Sequence, residues 1–375
     1  MLLTLIMLLV LAAVLAVGWV FSNSILKPLP YGLMDEFEIL AVSPGEVTLP
    51  LPPNGKQFAN TLRTGRFNLL WEGGYGHLGA VLAKDETSVR RELSSITGRD
   101  PEAGERAQLE AFIYRRDPLQ DFGLEHQNLL LEGDVGPLRA WWLPQDTATA
   151  VLMLHGRRRG DITETLRVLP TMHELGYSVL ALSYRNHTDS AMSPDGFYHY
   201  GQTEWQDAVT GLKFLSEQGV SRVVLYGFSM GGAVATETLK NYPEAGLPEP
   251  QALVLDAPLL DPPSVFRRGA RNMGLPLPDL VTNLALFTAS LRSGINWESL
   301  DQRRYAPNLG LPVLLISGTE DQTTPISMVD AFAAKAPDLE YHRVEGADHV
   351  ESWNHDPEQY EAWLRTFLRK HAPLD

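Results

Sequence analysis

The sequence predicts an α/β protein: a mostly parallel sheet flanked by helices, preceded by a small strand-rich module and an apolar N-terminal helix. Three observations carry this expectation. From about residue 124 onward, short apolar runs alternate with amphipathic stretches of helical spacing. Between about 33 and 120, short apolar stretches are separated by turn residues instead. Finally, Met1 to Phe21 carry no charge.

The chain has 375 residues, 44% of them hydrophobic and 21% charged, which suits a large globular core and excludes global disorder. Its net charge of -15 argues against nucleic acid as a partner, because phosphate binding needs clustered Lys and Arg. The absence of cysteine removes disulfides, thiolate metal sites and a cysteine nucleophile.

As a helix, Met1 to Phe21 would reach about 30 Å, the thickness of a bilayer core. We read residues 1–21 as an uncleaved membrane anchor. The competing readings are a cleaved secretory signal, with Ala16-Val17-Gly18 or Ser22-Asn23-Ser24 as the small-x-small site, and a buried core helix. Lys27 is the only basic residue nearby and weakly favours a cytoplasmic C-terminal side, while Asp35, Glu36 and Glu38 carry little topological weight. A large C-terminal domain is exported regardless of such weak flanks, so the extracytoplasmic side is the expected location. A linker marked by Pro28, Pro30 and Gly32 follows.

Residues 33–120 are expected to form the strand-rich module, with "FEILAVS", "GEVTLPL", "RFNLLW" and "SVRRELSSITG" among its strands. Residues 124–375 form the main domain. "QNLLLEG" and "LRAWWLP" read as an antiparallel pair, followed by the strands "AVLMLHG", "SVLALSYR", "RVVLYG", "ALVLDAP", "PVLLISG" and "EYHRVEG". Helices are expected around Glu164–Leu175 and Glu204–Gln218, after Gly231, and over Pro357–Lys370. Right-handed crossovers place the ends of the parallel strands along one edge, where open α/β sheets bind ligands. The roughly fifty residues 262–311 are too many for a simple crossover; their helical spacing reads as a lid or as added scaffold.

Gly227-Phe228-Ser229-Met230-Gly231 follows one of these strands and precedes a helix. Glycine two residues to either side permits a turn sharp enough to lift a serine hydroxyl clear of the sheet. Such a hydroxyl needs a base and a group to orient that base. Of ten histidines, His349 lies in the loop after the last strand, on the same edge as Ser229, whereas His342 and His355 suit surface or packing roles. For the acid, Asp321 follows another strand end, with Glu320 and Asp256 as alternatives.

The order Ser229, Asp321, His349, with "GFSMGG", "GTEDQTTP" and "GADH", resembles the α/β-hydrolase superfamily, in the branch of Bem46-like, serine-aminopeptidase-like and monoacylglycerol-lipase-like enzymes. The resemblance covers about residues 124–372 and leaves the first 120 as an N-terminal extension. It implies an α/β-hydrolase fold with an eight-stranded sheet, a nucleophile elbow at Ser229 and an acyl-enzyme mechanism. One oxyanion donor would be the backbone N–H of Met230 at the helix start; the second, by resemblance, is that of Arg157. Here His155-Gly156 is followed by three arginines where lipases are commonly glycine-rich. Arg158 is a candidate for holding an anionic substrate group, against a solvated loop pairing with Asp161 and Glu164. Tyr184 and Arg185, after another strand, are candidate pocket residues or aromatic packing.

The expected function is a membrane-anchored serine hydrolase of a carboxylic ester, thioester or lipid-like acyl substrate. A serine peptidase and a non-catalytic binding or scaffold protein are the alternatives. No cofactor or metal is implied, since zinc, phosphate-loop and dinucleotide patterns are missing from the sequence.

Overall fold

The computed structural model describes residues 15–28, 36–51, 61–157, 161–242 and 246–374. The first described segment is helix α1 (15–26). Seven strands follow: β1 (Phe37–Glu38), β2 (Ala41–Ser43), β3 (Glu46–Pro50), β4 (Phe67–Trp71), β5 (Gly74–Lys84), β6 (Ser88–Gly98) and β7 (Arg106–Glu110). They pair antiparallel in the order β1-β7-β4-β5-β6-β3-β2. Alternation along the strands gives this sheet its own small core, including Val47, Leu49, Leu69, Leu78 and Val89. The strand-rich module expected from the turn-separated apolar runs is therefore present.

After the short helix α2 (Pro118–Phe122) comes the second sheet: β8 (Gln127–Gly133), β9 (Gly136–Leu143), β10 (Thr149–Leu154), β11 (Ser178–Leu182), β12 (Arg222–Phe228), β13 (Glu249–Asp256), β14 (Val313–Gly318) and β15 (Leu339–Val344). Its order is β15-β14-β13-β12-β10-β11-β9-β8. Strands β10 to β15 are parallel, and the hairpin β8-β9 closes one edge antiparallel. Ala150, Leu152 and Leu154 of β10 face one core while Val151 and Met153 face the other, so this strand is buried on both sides and reads as a continuous apolar run.

The helices that cover the sheet are α3 (Leu169–Glu174), α4 (Trp205–Glu217), α5 (Met230–Lys240), α6 (Pro262–Asn272), α7 (Pro278–Ser293), α8 (Ile326–Ala333), α9 (Ser352–His355) and α10 (Pro357–His371). The expected helix around Glu164 begins as a 3-10 turn, Ile162–Arg167, before α3. Residues 262–311 form the helical pair α6–α7 and two 3-10 turns.

Residues 1–14 of the expected anchor lie outside the described residues. The remainder is α1, whose Ile25 and Leu26 are buried in the core of the eight-stranded unit. Gly18 abuts α7 so closely that a Cβ there would stand 2.5 Å from the Thr288 hydroxyl. Among the described residues, no helix is long and apolar enough to cross a membrane.

Candidate active site

Chain direction around the sheet reverses between β10 and β12, which are direct neighbours, and this switch point opens a crevice at their carboxyl ends. Gly156 leaves β10 on one side of it and Ser229 leaves β12 on the other. A Cβ on Gly156 would stand 3.2 Å from that of Ser229.

Ser229 has φ 48° and ψ -114°, a strained conformation for a residue with a side chain. Its N–H donates to the carbonyl of Asp256 at 2.9 Å, and its carbonyl accepts from Gly232 at 3.0 Å and Leu259 at 2.8 Å. The flanking glycines are required by contact: a Cβ at Gly227 would lie 2.4 Å from the Gly231 carbonyl, and one at Gly231 only 2.0 Å from that of Leu154. The chain thus turns against its own neighbours, and Met230 becomes the first residue of α5 with its N–H at the helix N-terminus.

From there the hydroxyl of Ser229 lies 2.8 Å from Nε2 of His349, and Nδ1 of His349 lies 2.8 Å from Oδ2 of Asp321. Asp321 is itself fixed. Its Oδ1 accepts the N–H groups of Thr323 at 2.8 Å and Thr324 at 2.7 Å, and its Oδ2 accepts the Thr324 hydroxyl at 2.6 Å. Burial lowers the imidazole pKa of His349, but the charge and hydrogen bond of Asp321, with the charges of Asp348 and Glu164, outweigh it and raise it to about 9. Of the alternative partners, Asp256 accepts the Tyr360 hydroxyl at 2.8 Å, and His342 stacks on Trp363 with ring centroids 4.0 Å apart.

Ser229 and His349 line a cavity of about 430 Å³, with Asp321 behind the imidazole. Its apolar wall comes from three separate parts of the chain: Phe21 and Ile25 of α1, Phe67 and Leu109 of the module, and Val265 and Phe266 of α6. Of residues 262–311, α6, the link after it and the first turns of α7 line the cavity.

Arg157 lines the cavity, while its guanidinium donates to the carbonyls of Ser24 at 2.8 Å and Ile25 at 2.5 Å, at the C-terminal end of α1. It does not pair with Glu164. That residue is buried, accepts the Gly156 N–H, and has its carboxyl raised by burial to about 7, against the pull of Arg167. Arg158 lies outside the described residues.

Tyr184 and Arg185 are not part of the cavity lining, which corrects the expectation from their strand-end position. Tyr184 is fully buried, and its hydroxyl donates to the carbonyl of His155 at 2.7 Å. Arg185 turns inward to the buried carboxylate of Asp207 at 2.6 Å and to Asp134 at 2.6 Å. Sequence reasoning missed Arg63, Asp348, Glu351 and the α1 residues that face the cavity. Only the adjacency of Asp348 and Glu351 to His349 was visible, and no local signal marked Arg63 or α1.

A mostly parallel sheet with a strained serine at its switch point, facing a histidine and an aspartate from later loops, defines the hydrolase class of α/β proteins. The chain belongs to the alpha/beta hydrolase family, which matches residues 151–363. Residues 38–110 match a domain of unknown function, DUF8805. The Arabidopsis thaliana alpha/beta hydrolase domain-containing protein WAV2 is 27% identical over 270 residues, covering 67% of this chain and 80% of that protein. Human Protein ABHD12B is 26% identical over 190 residues, 48% of either chain. Among solved structures, a Pyrococcus furiosus esterase, Pf2001, superposes with a TM-score of 0.55 at 23% identity over 69% of this chain and 95% of its own, a likeness of fold.

Proposed function

We propose that this hydrolase is a serine esterase that cleaves a carboxylic ester of lipid-like character through an acyl-enzyme. The observation that carries the reading is the continuous relay from the Ser229 hydroxyl through His349 to Asp321, each link 2.8 Å, opening on an apolar cavity.

A carboxylate only accepts, so Asp321 fixes the proton on Nδ1 of His349 and leaves Nε2 to accept from Ser229. Ser229 Oγ attacks the acyl carbon as its proton passes to Nε2. The oxyanion accepts from the N–H groups of Met230 and Arg157. Collapse of this intermediate breaks the bond to the leaving alkoxide, which takes the proton from His349. Water, deprotonated by the same imidazole, then attacks the acyl-serine and returns the free enzyme.

The lipid-like substrate class rests on the apolar walls and on a membrane location. Leu280, Phe287 and Leu291 lie along one face of α7 and are each more than half exposed, as are Trp19 and Val20 on the adjoining α1. Uncharged Met1–Val14 precede α1 in the chain. An exposed apolar face beside such a segment suits a bilayer surface. Because Gly18 packs on α7 and Phe21 lines the cavity, we place Met1–Val14, rather than all of residues 1–21, in the membrane, with the rest of the chain on its extracytoplasmic side.

The test is to treat the full chain and Ser229→Ala with a fluorophosphonate probe and to compare an acyl ester with its amide. Labelling lost in the variant, with the ester turned over faster, is the expected result. Absence of labelling in a folded wild type would leave a binding protein on a hydrolase scaffold, and preference for the amide would make it a peptidase. Membrane-pellet fractionation and protease access to sealed vesicles check the location.

A further inference from the structure

The seven-stranded module reaches into the active site through one side chain. Arg63 lies between β3 and β4, and its backbone is fixed from inside the module. The carbonyls of Arg63 and Thr61 accept from Nη1 of the buried Arg91 at 2.7 and 3.0 Å, and the Thr61 hydroxyl donates to the carbonyl of Pro50 at 2.7 Å. From this support the guanidinium of Arg63, only 13% exposed, crosses to the loop that bears His349. It pairs with Asp348 at 2.6 Å and with Glu351. Asp348 in turn accepts the N–H of Gln322, the residue after Asp321, at 3.0 Å. One guanidinium is therefore linked to both loops of the histidine–aspartate pair. A second tether lies alongside: Arg66 N–H donates to the Asn354 carbonyl at 2.8 Å, and the Asn354 amide donates back to the Arg66 carbonyl at 2.7 Å.

The loop so held is strained. Val350, next to His349, has φ 56°, a region that a β-branched residue enters only when its surroundings impose it. Arg167 anchors this turn from the eight-stranded unit, donating to the Val350 carbonyl at 2.6 Å. Arg63 holds the opposite side.

We infer that the N-terminal module is a working part of the active site, with Arg63 as a positioning residue that fixes the His349 loop and balances the charge around the imidazole. The inference rests on the serine-esterase reading above. The groups that face the imidazole or its loop are Asp321 and Gln322 after β14, Glu164 and Arg167 on the 3-10 turn, Asp348 and Glu351 on the loop itself, Asp256 at the end of β13, and Arg63 from the module. The negative charge of Asp348 favours the imidazolium, and the paired cation of Arg63 offsets part of it. Losing Arg63 thus both loosens the loop and strengthens the hold on the proton; losing the charge of Asp348 has the opposite electrostatic effect.

The experiment measures kcat/KM against pH, and fluorophosphonate labelling rate, for the full-length wild type, Arg63→Met, Arg63→Lys and Asp348→Asn. Arg63→Met is expected to lower kcat/KM by about 10- to 100-fold and to move the acid limb to higher pH, with Arg63→Lys restoring the limb but only part of the rate. Asp348→Asn is expected to move the limb to lower pH. Opposite movements do not arise from a general loss of fold, and the lysine variant keeps the test open if Arg63→Met does not fold. Superimposable limbs in a labelled wild type and all three variants would overturn the role of Arg63 alone. A wild type that never labels would overturn the esterase reading and this inference with it.

Discussion

Asp321 and Ser229 stand on opposite sides of the same imidazole, each 2.8 Å from one of its nitrogens, although 92 positions separate them in the chain. His349 serves as a base only when neutral, and its pKa is raised to about 9. We therefore expect kcat/KM to climb with pH up to about 9, where an unperturbed imidazole would level off near 6.5. The same shift favours the folded state fully below about 6.5, and that contribution is lost as pH rises through about 9. Asp321→Asn should lower kcat by about 10³- to 10⁴-fold, because the amide no longer selects the Nδ1-protonated tautomer. A pH–rate profile and single-turnover acylation check both.

The turn at Ser229 tolerates no Cβ at Gly231, where it would meet the Leu154 carbonyl at 2.0 Å. Gly231→Ala is expected to cost about 3 kcal/mol in urea unfolding. Gly269 of α6 has nothing within 4 Å of its Cβ position, so Gly269→Ala should gain about 1 kcal/mol from helix propensity.

Arg185 and Asp207 form a buried pair away from the cavity lining. Asp207→Asn should destabilise the fold by about 3 kcal/mol, because it leaves the buried guanidinium with only the half-exposed Asp134 as a charged partner. It should leave the ranking of ester chain lengths unchanged, which separates support from specificity. A thermal melt and a panel of esters read the two effects.

Phe21 brings α1 into the wall of the cavity. Phe21→Ala opens that wall, and we expect kcat/KM for a long acyl ester relative to a short one to rise by about 10-fold. An unchanged ratio would mean that the acyl chain lies against α6 and the module instead.

What the sequence determined by itself was whatever is local along the chain. Alternation marked the strands, helical spacing marked α4 and α10, and the glycines around Ser229 marked a turn with no room for side chains. The positions of His349 and Asp321 after strands followed from the rule that parallel strands end on one edge. The tertiary structure decided which groups meet from distant segments. Arg63 finds Asp348 across 285 positions, α1 packs under the Thr288 face of α7, and Tyr184 and Arg185 turn inward from the same edge that presents Ser229 outward. The physical reason is that periodicity and turn chemistry fix backbone path within a few residues. Cavity walls and ion pairs form between surfaces whose approach depends on packing of the whole chain.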